Sequence, residues 1–227
     1  MDGRRHLTLR VPLPRPRDTA AAALALGVAG LPVLRAWGLQ WGAREDELDA
    51  YLPGDGLTPD ADLVATRATG VAARAGDVWP WLVQLGHGRG GFYSYDVLEN
   101  LAGCRVRSAD HVEPAWQHLA PGDVVHLHPR VALEVATVDT GRALVLRTPD
   151  APAGAAAPPY AFTWAFVLRP DAGGTRLVVR ERYAYRAPWA RLVAEPTCAV
   201  SAVMTRQMLR GVRQRVERAS GVAGPGG

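Results

Sequence analysis

The densest group of side chains that could carry chemistry lies between residues 93 and 100. It combines two phenols, two carboxylates and an amide, namely Tyr93, Tyr95, Asp96, Glu99 and Asn100. Phenols and carboxylates can hydrogen-bond the polar end of a ligand or, in an enzyme, transfer a proton. The same residues could instead cap the glycine-rich segment Gly86 to Gly91 that precedes them. A binding role and a structural role therefore both remain open for this group.

A second charged group, Arg180, Glu181 and Arg182, interrupts an apolar strand pattern. Successive strand residues point to opposite faces, so at least one of these charges faces the core or is covered at a strand end. A charge buried in this way requires a partner. Two interpretations are open: ion pairs across strands on the outer face, or an anchor for a carboxylate or carbonyl group of a ligand.

An aromatic stripe occupies a neighbouring strand pattern. Phe162, Trp164 and Phe166 recur at every second position after Tyr160, which places them on one face of the strand. Such a stripe either belongs to the core alone or also lines a cavity within it.

Several familiar catalytic signatures are missing from the sequence. It contains no lysine, which excludes Schiff-base chemistry and a Walker lysine. The glycine-rich segment has the spacing of a dinucleotide fingerprint but follows a helical pattern, whereas the fingerprint follows a strand. His126 and His128 share a strand face without a third metal ligand at a recognisable spacing. No serine lies in a Gly-x-Ser-x-Gly motif. We therefore expect neither a metal nor a cofactor.

Charge and cysteine content restrict the partners and the compartment. The net charge of +4 is modest, and five arginines lie within the first 17 residues, so no basic stripe for nucleic acid is expected. Cys104 and Cys198 are far apart and are expected to be free thiols in a reducing compartment.

The periodicity of apolar residues predicts an α+β domain with about seven antiparallel strands. A strand over 63–71 is followed by two short helices, by period-two patterns up to residue 185, and by a long C-terminal helix over 188–219 that is interrupted near Pro196. A curved sheet is large enough to cover that helix, so we predict a helix-grip arrangement with a cavity between them. Val203, on the apolar face of the helix, is expected to line the cavity. The later strand candidates are His111–Pro114, Asp123–His128, Val131–Val138, Arg142–Arg147, Tyr160–Leu168 and Thr175–Tyr185.

Residues 1–40 are predicted to form a basic, alanine-rich extension that precedes a domain over 41–219 and a disordered tail over 220–227. The apolar run within the extension is shorter than the roughly 20 residues that a bilayer crossing needs. Three interpretations are open: a packed helix, a marginal membrane anchor through residues 18–36, or a cleaved signal.

The central segment resembles the SRPBCC superfamily, which comprises START-like and polyketide cyclase-like helix-grip proteins. The resemblance rests on Val78 to Gly86, on Gly88 to Asp96 with its Phe-Tyr-Ser-Tyr-Asp run, and on Leu98 to Asn100. Within the superfamily, this segment is similar to an uncharacterised actinobacterial branch. Further matches are Trp41 to Ala43, Trp116-Gln117, Gly122-Asp123, Phe162 to Trp164 and Met204 to Arg206. The superfamily includes lipid carriers, hormone receptors and aromatase/cyclases, so the resemblance implies a class of ligand and not one reaction.

We predict that the cavity binds a hydrophobic small molecule, such as a lipid, polyketide or isoprenoid-like metabolite. The alternatives are a cyclase or dehydratase-like enzyme that uses Tyr93, Tyr95, Asp96 or Glu181 as acid or base, and a structural or membrane-associated protein. A cytoplasmic location is expected, with membrane association through the N-terminal apolar segment as the alternative. The residues expected to contact the ligand are Tyr93, Tyr95, Asp96, Glu99, Trp116, Phe162, Trp164, Phe166, Arg180, Glu181, Arg182 and Val203.

Overall fold

The computed structural model describes residues 30–101, 103, 105–151 and 157–221. Most of the predicted N-terminal extension, Cys104, and the predicted tail beyond Gly221 lie outside these residues. Within the described part of the chain, no helix is both long enough and apolar enough to span a membrane.

The chain divides into two units, Met1–Ala36 and Trp37–Gly227. Of the first unit, residues 30–36 are described, and they are helical. The second unit begins with helical residues 37–40, in which the carbonyl of Gly38 accepts a hydrogen bond from Arg67 Nε at 2.7 Å. Arg206 also stacks on Trp37, with its guanidinium carbon 4.9 Å from the ring centroid. Residues 37–40, which the sequence pattern places in the extension, therefore pack against the rest of the second unit.

Within the residues that the structure describes, six antiparallel strands form one sheet in the order β1-β6-β5-β4-β3-β2. The predicted α+β class and helix-grip arrangement are confirmed, but the count of seven strands is wrong. The strands are β1 (Leu63–Val71), β2 (Val124–His128), β3 (Val131–Asp139), β4 (Ala143–Arg147), β5 (Tyr160–Asp171) and β6 (Gly174–Tyr185).

The strand predicted over His111–Pro114 is a loop that pairs with a side chain instead of with a neighbouring strand. Gln84 Nε2 donates to the carbonyl of His111 at 3.1 Å, and the Glu113 amide donates to Gln84 Oε1 at 3.0 Å. One glutamine thus satisfies the backbone groups that a strand partner would otherwise bind. Pro114 then begins a 3-10 turn that ends at Trp116.

After the helical residues 30–40, four more helices follow in the described part of the chain: α1 (Glu45–Asp49), α2 (Ala75–Val83), α3 (Asp96–Leu101) and α4 (Arg191–Ala219). The predicted interruption of α4 at Pro196 is wrong, because the helix continues through this residue. Pro196 is the sixth residue of α4, so its ring removes one backbone hydrogen bond, the one to the carbonyl of Leu192, and the helix continues through this single loss.

The larger core lies between one face of the sheet and the helices α2 and α4. Apolar residues from β1 to β6 on this face pack against α2 and against the second half of α4. Burial of this size is the main source of the fold's stability. We call this side of the sheet the helix face.

The opposite face of the sheet is covered by α1 and the turn that follows it. Leu52 packs there on a small cluster of alanines and valines, including Val145 and Val178. Both faces of the central strands are therefore buried, which explains why β4 is apolar at its first four positions.

Candidate functional site

A cavity of about 850 Å³ lies between the helix face of the sheet and α4. Its walls are mostly apolar and come from five regions: α4, strands β2 and β3 with their turn, strands β5 and β6, the β4–β5 loop, and the segment from Phe92 into α3. The lining residues include Phe92, Ser94, Glu99, Leu127, His128, Arg130, Val131, Leu133, Asp150, Tyr160, Phe162, Trp164, Glu181, Tyr183, Val193, Thr197, Val200, Ser201, Met204, Thr205 and Met208.

One face of α4 forms the helical wall of the cavity. Thr197, Ser201, Met204 and Met208 line it at spacings of four, three and four residues, which is the repeat of one helix face. Val203 does not line the cavity and is 53% exposed. The helix face that lines the cavity is therefore rotated by about one residue from the face that the apolar pattern predicts.

The aromatic stripe of β5 divides between the cavity and the core. Phe162 and Trp164 line the cavity, whereas Phe166 is fully buried and stacks against Trp164 at a centroid distance of 4.6 Å. Phe162 in turn stacks on Tyr183 at 4.8 Å. Trp164 Nε1 is buried and has no hydrogen-bond partner among the described residues.

Glu181 reaches the helix face, where a buried network holds its carboxylate. Arg67 Nη1 donates to Glu181 Oε1 at 2.8 Å, and the two side chains are 0% and 1% exposed. The Ser201 and Thr205 hydroxyls donate to the same oxygen at 2.5 and 3.1 Å. Tyr183 donates to Oε2 at 3.1 Å. The charge is thus balanced, and the network joins β1, β6 and α4 at the cavity wall.

The thiol of Cys198 lies beside the buried network, but burial decides its protonation state. Arg67 Nη2 is 3.7 Å from the sulfur of Cys198. Burial nevertheless raises the pKa of Cys198 to about 11, so the thiol is neutral at ordinary pH and is a poor nucleophile.

Arg180 and Arg182 point to the opposite face of the sheet and do not line the cavity. Arg180 Nη1 donates to Asp55 Oδ2 at 2.7 Å, and Arg182 donates to the carbonyl of Thr58 at 3.0 Å. The arginines lie on the outer face, but the ion-pair partner of Arg180 is Asp55 of the turn after α1 and not a residue of another strand, so they fasten the α1 segment to the sheet.

Glu99 is the second carboxyl group in the cavity lining. The Ser94 hydroxyl donates to Glu99 Oε1, while Oε2 is buried without a partner among the described residues. Burial, with a smaller contribution from the charge of Asp96, raises the pKa of Glu99. This carboxyl group therefore favours its protonated form more than an exposed glutamate does.

Tyr93 lies in the core and not in the cavity lining. Its hydroxyl accepts from Gln84 Nε2 at 2.8 Å and donates to the Trp81 carbonyl at 3.2 Å. Burial raises the pKa of Tyr93 to about 12. Its φ of 56° places the backbone in the left-handed region, next to Gly211 of α4.

Three other predicted site residues also lie outside the cavity lining. Asp96 accepts hydrogen bonds from the Ser108 amide at 2.9 Å and hydroxyl at 2.6 Å, which fixes the loop after α3. Tyr95 is 40% exposed. Trp116 is half-buried, and its carbonyl accepts from Arg89 at 2.6 Å. The polar cluster at 93–100 thus contributes Glu99 to the cavity, while Asp96 and Asn100 bind the loop that follows α3.

The sequence pattern alone did not identify several residues of the site. Arg67 lies inside an apolar strand, and an isolated arginine in such a pattern signals a buried partner. The helical repeat identifies Ser201, Met204 and Thr205 as lining residues once one residue of the helical wall is known. His128 ends β2 and Arg130 lies in the β2–β3 turn, a segment that has no motif. Among the described residues, no cluster of histidine, cysteine or carboxylate side chains could hold a metal ion.

The chain matches no protein-family model and no curated protein. Similar solved structures include a polyketide cyclase-like protein from Corynebacterium glutamicum, with 12% identity and a TM-score of 0.37 over 72% of this chain and 96% of that chain. The di-domain ARO/CYC of the steffimycin biosynthetic pathway has 15% identity and a TM-score of 0.39 over 74% of this chain and 54% of that chain. A protein from Mesorhizobium loti has 16% identity and a TM-score of 0.40 over 69% and 98%. At these TM-scores, the helix-grip assignment rests on the strand order and the long helix described above.

Proposed function

We propose that the chain binds a hydrophobic small molecule in the cavity between the sheet and α4. The observation that carries this proposal is a cavity of about 850 Å³ whose wall is mostly apolar. Ligand sites commonly enclose about 300–1,000 Å³ and combine apolar walls with a few polar groups. Lipids, polyketides and isoprenoid-like metabolites all have the apolar bulk that such a cavity accepts.

The polar groups of the wall favour a ligand with an apolar body over a highly charged one. The Glu181 carboxylate is balanced by Arg67 at 2.8 Å, and the pKa of Glu99 is raised. Of these two buried carboxyl groups, one is already paired and burial favours the neutral form of the other, so the mostly apolar wall is suited to the apolar body of a ligand.

The proposal predicts that Val200→Trp blocks binding. Val200 lines the cavity from α4 and is 65% exposed, so a larger side chain can be accommodated without repacking the core. The indole is expected to occupy the cavity entrance and to weaken binding of the neutral fluorescent probe N-phenylnaphthylamine by about tenfold or more, which corresponds to about 1.4 kcal/mol.

Val203→Trp is the matched control, because Val203 is on the same helix and is also exposed but does not line the cavity. It should bind the probe like the wild type. Circular dichroism should show that both variants are folded. Equal affinities of folded Val200→Trp and wild-type protein would contradict a cavity bounded by α4.

A second candidate function, a cyclase or dehydratase-like acid–base enzyme, is favoured by Glu99. A carboxyl group that faces a cavity and whose pKa is raised by burial keeps its proton to a higher pH than an exposed glutamate and can act as a general acid. Tyr93, Tyr95 and Asp96 lie outside the lining, so Glu99 would have to serve as the acid in such a reaction.

The raised pKa of Glu99 predicts a distinctive pH dependence of stability. Between the unfolded pKa and the higher folded pKa, the native state binds more protons than the unfolded state, so stability falls as the pH rises. Glu99→Gln cannot titrate at this position. The difference in free energy of unfolding, wild type minus variant, should therefore decrease from acidic to neutral pH in urea titrations. A difference that stays constant or increases over this range would mean that the folded pKa of Glu99 is not raised.

A further inference from the structure

We infer that the ligand carries an anionic head group on its apolar body, and that Arg130 and His128 bind this group at the mouth of the cavity. The inference rests on the proposed function and specifies which end of the ligand faces the solvent.

The interior of the cavity offers no favourable position for an anion. Its two buried carboxyl groups, Glu99 and Glu181, supply no positive charge, and an anion between the mostly apolar walls would lose its hydration without gaining a counter-ion. The nearest buried cation, Arg67, is already bound to Glu181 and to the Gly38 carbonyl. An acidic ligand would therefore bind with its charged end away from this interior.

The mouth of the cavity has a different charge. Arg130 is the only arginine among the described residues that line the cavity. It is exposed at the β2–β3 turn, and its side chain makes no ion pair or hydrogen bond with the described residues. A guanidinium group in this position can form paired, charge-assisted hydrogen bonds with a carboxylate or phosphate group.

His128 supplies a second donor beside Arg130. Its Nδ1 accepts a hydrogen bond from the backbone amide of Arg130 at 3.1 Å. In the neutral ring the proton must then reside on Nε2, which becomes a hydrogen-bond donor. His128 lines the cavity and is half-buried, so the donor is available at the boundary between interior and solvent.

Asp150 is the one carboxylate of the lining that could oppose an anion at the mouth, but Arg147 holds it. Arg147 Nη2 donates to Asp150 Oδ2 at 3.2 Å and to Glu134 Oε1 at 3.0 Å. Asp150 is 81% exposed, so its field is also screened by solvent. The charge of Arg130 is therefore left to attract the ligand.

Three probes with the same twelve-carbon chain distinguish the contribution of the head group to affinity from that of the chain: dodecanoate, dodecyl phosphate and dodecanol. Affinities are measured by displacement of N-phenylnaphthylamine from the wild type, Arg130→Gln and Arg142→Gln. Arg142 is a suitable control because it is an exposed arginine in the β3–β4 turn, outside this cavity.

Arg130→Gln should weaken binding of dodecanoate or dodecyl phosphate by about fivefold or more and should change dodecanol binding by less than about twofold. The acid that loses more affinity identifies the head group as a carboxylate or a phosphate. Arg142→Gln should change none of the three affinities. If Arg130→Gln affects dodecanol as much as the acids, or affects none of them, the inference is wrong while the proposed binding function stands. If the wild type binds none of the probes, the proposed function itself fails.

Discussion

Replacing Gly211 by alanine is expected to lower the free energy of unfolding by about 3 kcal/mol or more. A Cβ atom at Gly211 would overlap the carbonyl oxygen of Tyr93 and lie 3.0 Å from its carbonyl carbon. The obstructing atoms belong to the backbone, so they cannot rotate away as a flexible side chain could. Tyr93 is in addition fixed by Ser108, whose hydroxyl accepts from its amide at 3.0 Å.

Gly38→Ala provides the comparison, because a Cβ there meets only Ala202 Cβ at an ordinary 3.5 Å. Exchange of glycine for alanine in an unobstructed helix normally stabilises by about 0.5–1 kcal/mol. Urea unfolding should therefore shift in opposite directions for the two variants. If Gly211→Ala were as stable as the wild type, the close approach of α4 to the Tyr93 segment would be disproved.

Glu181→Gln is expected to destabilise the fold by about 3–5 kcal/mol, because it leaves the guanidinium of Arg67 buried without a counter-ion. The substitution keeps the size of the side chain and an oxygen that can still accept from Ser201, Thr205 or Tyr183. The loss therefore measures the charge of the carboxylate and not its packing. Chemical unfolding at neutral pH gives the difference directly.

The double variant Arg67→Met with Glu181→Gln should recover part of this loss, since no uncompensated charge then remains. Asp77→Asn serves as the control, because its partner Arg74 is 92% exposed and such pairs contribute about 0–1 kcal/mol. A single Glu181→Gln variant that is no less stable than Asp77→Asn would show that Arg67 finds another partner or remains solvated.

Local sequence patterns predicted the positions of the helices and strands better than the contacts that these elements make. The range 63–71 matches β1 residue for residue, and the long apolar repeat identified α4. Two errors came from contacts that a local pattern does not contain. The side chain of Gln84 replaces a strand beside His111, and the helical context around Pro196 tolerates the proline.

The candidate site was less accessible to prediction, because it depends on which face of each strand is covered by which element. The period-two rule separates Glu181 from Arg180 and Arg182. It does not decide which side faces the cavity when both faces of the sheet are buried. Only the position of α1 and its turn, with Asp55 bound to Arg180, resolves the choice. Val203 shows the same limit on a helix, where one residue of rotation separates a cavity wall from an exposed surface.

The strand order has a consequence for synthesis of the chain on the ribosome. Every strand from β2 to β6 neighbours a strand adjacent to it in sequence, whereas β1 pairs only with β6. Arg67 of β1 and its partner Glu181 are 114 residues apart. While the intervening residues are being made, the apolar side chains of β1 have neither their strand partner nor α4 to cover them, and such unpaired strands are prone to aggregate. The nascent chain is consequently most dependent on protection by chaperones before β6 emerges, and its last helix both completes the cavity and closes this period of exposure.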